Sequence, residues 1–107
     1  MPTLGVVGRI ANMKAELLLR DRLWLSDAVK VEVVIWRVPN PLPNSLHSFR
    51  YRLALVTEGI CVMRYDNEAG KGDHKHVVDR ETNYNFTDLP TLQADFWTDV
   101  KVWRANH

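Results

Sequence analysis

The chain is poor in cysteine, in long apolar runs and in net charge, and each shortage excludes something. Cys61 is the lone cysteine among 107 residues, so no intramolecular disulfide can form and a reducing compartment is favoured. It falls inside an apolar strand pattern, where a small core residue is the common role. No window approaches the roughly 18 apolar residues a membrane span needs. Residues 1–12 carry no positive cluster ahead of an apolar core, so no secretory signal is predicted. The formal net charge is +1, which gives no broad pull toward nucleic acid or anionic membrane. There is no Walker-type glycine loop, no serine nucleophile elbow, no CxxC, no internal repeat and no low-complexity tract.

What is present is an ordinary globular composition, 46% hydrophobic and 25% charged, of a length that makes one domain. Residues 1–12 read as a flexible extension, with Met13-Lys14 a second possible start, and residues 13–107 as the domain. The charge is unevenly spread. Residues 37–80 carry seven Lys or Arg against five acids, and residues 81–107 two against four, an asymmetry that permits a local phosphate-binding surface.

The patterning predicts an α+β fold. Strands are expected at 14–25, 29–38, 49–57 and 60–65, with Ser26-Asp27-Ala28 and Glu58-Gly59 as turns. Val29, Val31 and Val33 alternate with Lys30 and Glu32. The pattern then becomes apolar on both faces at Val34, Ile35 and Trp36, until Pro39, Pro41 and Pro43 break it. The core set of the fourth strand is either Ile60 with Val62 or Cys61 with Met63, since a one-residue slip exchanges them. Short edges are expected at Val77-Val78 and Tyr84-Asn85-Phe86. Thr87 or Asp88 caps a final helix with Pro90 in its first turn, and Leu89, Leu92, Phe96, Val100 and Trp103 form its apolar stripe. The expected architecture is an antiparallel sheet of four or more strands with this amphipathic helix on one face. Its open edges make a homodimer a reasonable expectation.

Chemistry concentrates in Arg64-Tyr65-Asp66-Asn67-Glu68-Ala69-Gly70-Lys71-Gly72-Asp73-His74-Lys75-His76. Arg64 and Asp66 share a face at the strand's exit, and glycine-assisted return of the chain brings back His74, Lys75 and His76. Three roles stay open. One is metal-independent RNA cleavage, with a histidine as base toward a 2′-OH, a second group protonating the leaving oxygen, and Arg64 or Lys75 on the charged phosphorane. Another is a metal site from His74, His76 and Asp66 or Asp73. The third is a solvated polar loop. Arg50 and Arg52 offer a cationic strand face for RNA phosphates, with Lys71 beside them. His47 is expected at the surface. Trp24, Trp36, Trp97 and Trp103 read as core or partner-contact aromatics in preference to base-stacking platforms, with Trp97, off the helix stripe, as the best candidate for a protein interface.

The sequence also resembles the TumE family of toxins. The resemblance lies in Met13-Lys14-Ala15-Glu16-Leu17-Leu18-Leu19-Arg20, Val34-Ile35-Trp36-Arg37-Val38-Pro39, Tyr51-Arg52-Leu53-Ala54-Leu55-Val56, Arg64-Tyr65-Asp66-Asn67-Glu68, Gly70-Lys71-Gly72-Asp73-His74-Lys75-His76, Phe86 and Asp95-Phe96-Trp97. It implies a small cytoplasmic toxin with a cognate antitoxin, often a helix-turn-helix DNA-binding protein. Many such toxins are ribonucleases, an analogy that raises the RNA reading. The resulting expectation is a metal-independent endoribonuclease, without cofactor or membrane attachment. A non-enzymatic inhibitor that binds RNA or protein through residues 64–76 is the alternative, and a metal-dependent nuclease or phosphoesterase a weaker one.

Overall fold

A computed structural model describes residues 14–68 and 70–107; the extension expected over residues 1–12 lies outside them. Six antiparallel strands follow one another across a single sheet in chain order: β1 (Glu16–Trp24), β2 (Val29–Arg37), β3 (Phe49–Thr57), β4 (Ile60–Asp66), β5 (His74–Val77) and β6 (Arg80–Asn83). One helix, α1 (Leu89–Ala105), closes the chain. The class is α+β, as the patterning predicts.

Period-two alternation decides the two faces. On one face Val31, Val33, Ile35, Tyr51, Leu53, Leu55, Met63 and Tyr65 form a single core with Leu92, Phe96 and Val100 of α1. Each of those helix residues is essentially removed from water, a burial that stabilises by roughly 1.5–3 kcal/mol per side chain. Asp88 caps α1 by accepting from the Thr91 N–H at 2.8 Å, and proline follows in the first turn. That hydrogen bond holds the Asp88 carboxyl below the usual aspartate range. Among the described residues, no second layer covers the other face.

The β3–β4 turn, Glu58-Gly59, has φ of 50° and 79°, the paired positive values of a type I′ hairpin. The core set of β4 is neither of the two expected as a whole. The ladder shifts between Leu55 and Val56, which pair with Met63 and Cys61. This bulge leaves Val62 without an opposite partner and turns Met63 and Tyr65 inward. Ile60 is exposed and Cys61 only half-buried. The edges also differ from expectation. Val78 lies in the turn between β5 and β6, and Tyr84-Asn85-Phe86 is irregular chain leading to the helix.

Candidate functional site

Directly opposed residues in an antiparallel ladder project to the same face. Asp66 pairs with His74 and Arg64 with His76. Met63 and Tyr65 point into the core, so these four face away from the helix. Arg64 Nε lies 2.8 Å from Asp66 Oδ2. His74 Nε2 lies 2.7 Å from Asp66 Oδ1 and 3.3 Å from Glu81 Oε2. Arg64 Nε and Asp66 Oδ1 are buried without an aligned hydrogen-bond partner, so charge more than directed bonding holds the trio.

His74 is 3% exposed. Its Nδ1 is 3.0 Å from the Gly72 carbonyl oxygen, which can only accept, so Nδ1 carries a proton. Nε2 faces the Asp66 and Glu81 carboxylates, so two anions on its own sheet face lie against the buried ring. Lys71 Nζ reaches Glu81 at 3.3 Å. That hydrogen bond, with the charges of Lys71, His74 and His76, holds the exposed Glu81 carboxyl below the usual glutamate range.

His76 differs from His74. It stands between Arg64 and Glu81 in register and is half-buried, and no hydrogen bond or ion pair engages its ring among the described residues. Arg52 pairs with Asp66, and Arg50 with Trp36. Both arginines therefore share the open face with the cluster, and neither has a carboxylate partner among the described residues.

Lys75 does not join them, and the five-residue cluster expected from the sequence is corrected to four. As the residue between two histidines on a strand it must project to the helix side. There its Nζ is 3.0 Å from Asp99 Oδ2 and 5.5 Å from the centre of the Tyr65 ring. Trp97 is half-buried against the core, edge-on to Phe96 at 5.7 Å, which leaves only part of its ring for a partner. His47 is not a surface residue. Its Nδ1 accepts from the Phe49 N–H at 3.1 Å, its Nε2 donates to Asp73 Oδ1 at 2.8 Å, and its ring stacks on Phe86 at 3.9 Å.

Asp73 also accepts from the Tyr51 hydroxyl at 2.7 Å. Two further tyrosine–carboxylate pairs lie on the helix side, Tyr84 with Asp95 at 2.6 Å and Tyr65 with Asp99. Burial first, then the hydrogen bond to an anion, raises all three phenols above the ordinary tyrosine range. Sequence reasoning missed these pairs because their partners are 11 to 34 residues apart and no local motif links them. It also missed Asn67, whose side chain accepts from the Tyr51 N–H at 3.0 Å and donates to the Phe49 carbonyl at 2.8 Å. Asn67 thereby extends the β3–β4 ladder by one amide.

Among the described residues, no group of three or more His, Cys, Asp or Glu could hold a metal ion. Asp73, one of the third ligands considered, is already engaged by His47 and Tyr51. No helix among the described residues is long and apolar enough to cross a membrane. A family model described as "Toxin TumE" matches residues 10–104. No curated protein and no solved structure matches the chain.

Proposed function

The chain belongs to the TumE toxin family, the toxin half of a toxin–antitoxin system with a cognate antitoxin; from that premise we propose that it is a metal-independent endoribonuclease acting on the sheet face opposite the helix. One observation carries the reading. His76, an imidazole with no partner of its own among the described residues, stands directly across the ladder from Arg64, on a face that also carries Arg50 and Arg52. His76 removes the proton of a ribose 2′-OH, and the 2′-oxygen attacks the adjacent phosphorus. The bond from phosphorus to the 5′-oxygen breaks, the leaving oxygen takes a proton from solvent, and a 2′,3′-cyclic phosphate remains. Arg64 opposes the charge on the phosphorane, while Arg50, Arg52 and Lys71 hold flanking phosphates. His74 is a positioning residue, which fixes Asp66 and through it the Arg64 guanidinium.

The test uses purified protein and RNA in EDTA. The expected outcome is multiple-turnover cleavage leaving 2′,3′-cyclic ends. A His76→Ala variant should lose about 100-fold or more of the rate, and growth arrest with it. Full cleavage and toxicity in that variant would sink the assignment. The burial of His74 favours a second reading, because only one of the two imidazoles is open to a substrate. In that reading the protein inhibits by occupying RNA, and its mark is stoichiometric inhibition without product.

A further inference from the structure

We propose that the open face carries a second RNA subsite over β1–β3, which grips a phosphate and an unpaired base of single-stranded RNA several nucleotides from the reacting bond. The proposal rests on the RNA reading above and names the substrate class it implies. Arg20, Val34, Arg52 and Asp66 form one continuous row across β1 to β4, so Arg20 lies on the same face as the cleavage cluster. Arg20, Arg22 and Arg52 line an open groove of about 460 Å³, with Val34 and Glu32 among its other lining residues.

Among the groove's charged lining residues Arg20, Arg22 and Arg52 stand against Asp21 and Glu32, a surplus of one cation. Glu32 lies 3.4 Å from both Arg22 and Lys30, whereas Arg20 and Arg52 have no carboxylate partner among the described residues. Beside the groove stands Trp36, a half-buried indole facing away from the core. The Arg20 guanidinium lies 5.9 Å and that of Arg50 5.5 Å from its ring centre. Aromatic and guanidinium planes interleaved in a cationic surface are what unpaired bases stack upon, while the arginines neutralise the backbone. A duplex hides its bases and would gain only the phosphate contacts. From β1 to β5 there are four strand spacings of about 4.8 Å, roughly 19 Å in all. A strand seated at Arg20 and at His76 therefore crosses the sheet with several nucleotides.

The experiment measures fluorescence anisotropy of a labelled, 2′-O-methylated single strand, and of the same sequence as a duplex, over a range of salt. The wild-type protein should prefer the single strand. Arg20→Gln should weaken binding about 5- to 20-fold and flatten the log K against log salt slope by about 0.7, one phosphate's worth. Trp36→Leu should weaken it about 5- to 100-fold. Arg20 is an exposed edge-strand residue, so its variant keeps the test decisive if Trp36→Leu fails to fold. Wild-type protein that binds no RNA would overturn the RNA reading itself. Wild-type binding that both variants match would overturn only the subsite. So would variants that bind RNA normally but lose the antitoxin, since the patch would then serve a protein partner.

Discussion

At the scale of single residues, the tightest point near the polar cluster is Gly72. Its φ is +79°, and a Cβ there would come within 2.8 Å of the Asn44 carbonyl oxygen. Its own carbonyl takes the Nδ1 proton of His74. Alanine at this position meets two costs, an unfavourable backbone conformation of about 1–2 kcal/mol and displacement of a backbone oxygen that has no flexible side chain to yield. Gly70 supplies the control, because its φ is +75° but nothing lies within 4 Å of its would-be Cβ. Urea denaturation should show Gly72→Ala destabilised by about 2–4 kcal/mol and Gly70→Ala by about 1–2 kcal/mol. Equal losses would mean that the Asn44 contact does not constrain the loop. His74 should register the difference as well, since the loop that carries Gly72 sets the position of its ring.

Among the elements, β2, β3 and the helix are legible because their apolar residues recur with the period of the structure they adopt, whereas β1 and β4 are legible in extent only, the bulge at Val62 upsetting the register of β4. Val31, Val33 and Ile35 alternate, and Leu92, Phe96 and Val100 share a helical face. Of β5 only the Val77 end is legible, through the short edge expected at Val77-Val78, and β6 is not legible. His74–Val77 and Arg80–Asn83 offer almost no apolar alternation, and they become strands by pairing with the polar end of β4 and with each other. Half of the candidate site could be read from period two alone: it puts Arg64 with Asp66 and His74 with His76. The same rule sends Lys75 to the other face. Lys75 instead makes a partly exposed pair with Asp99, of a kind worth about 0–1 kcal/mol. Lys75→Gln should therefore leave RNA cleavage within about twofold of wild type, with a small drop in the urea midpoint. A loss of tenfold or more in a folded variant would return Lys75 to the reaction.

For the molecule as a whole, the sheet separates two kinds of polar chemistry that a net charge of +1 conceals. Arginines gather on the open face, where charges are left available. On the helix side, Asp73, Asp95 and Asp99 are each capped by a tyrosine hydroxyl, and the three tyrosines involved are all that the chain has. Their placement ties β3, β4 and the segment after β6 to α1 and to the loop before β5. The consequence for pH follows from the direction of the shifts. Each phenol is raised in the folded protein above its unfolded value of about 10. The unfolded chain therefore releases these protons first. Their contribution to stability is complete below about pH 10 and is lost as pH rises beyond it. In an alkaline titration, tyrosinate absorbance should stay flat past about pH 10 and then rise in one cooperative step, together with the loss of near-ultraviolet ellipticity. Gradual ionisation centred near pH 10 with the ellipticity intact would mean that the phenols are solvated, and that the helix is not fastened to the sheet through them.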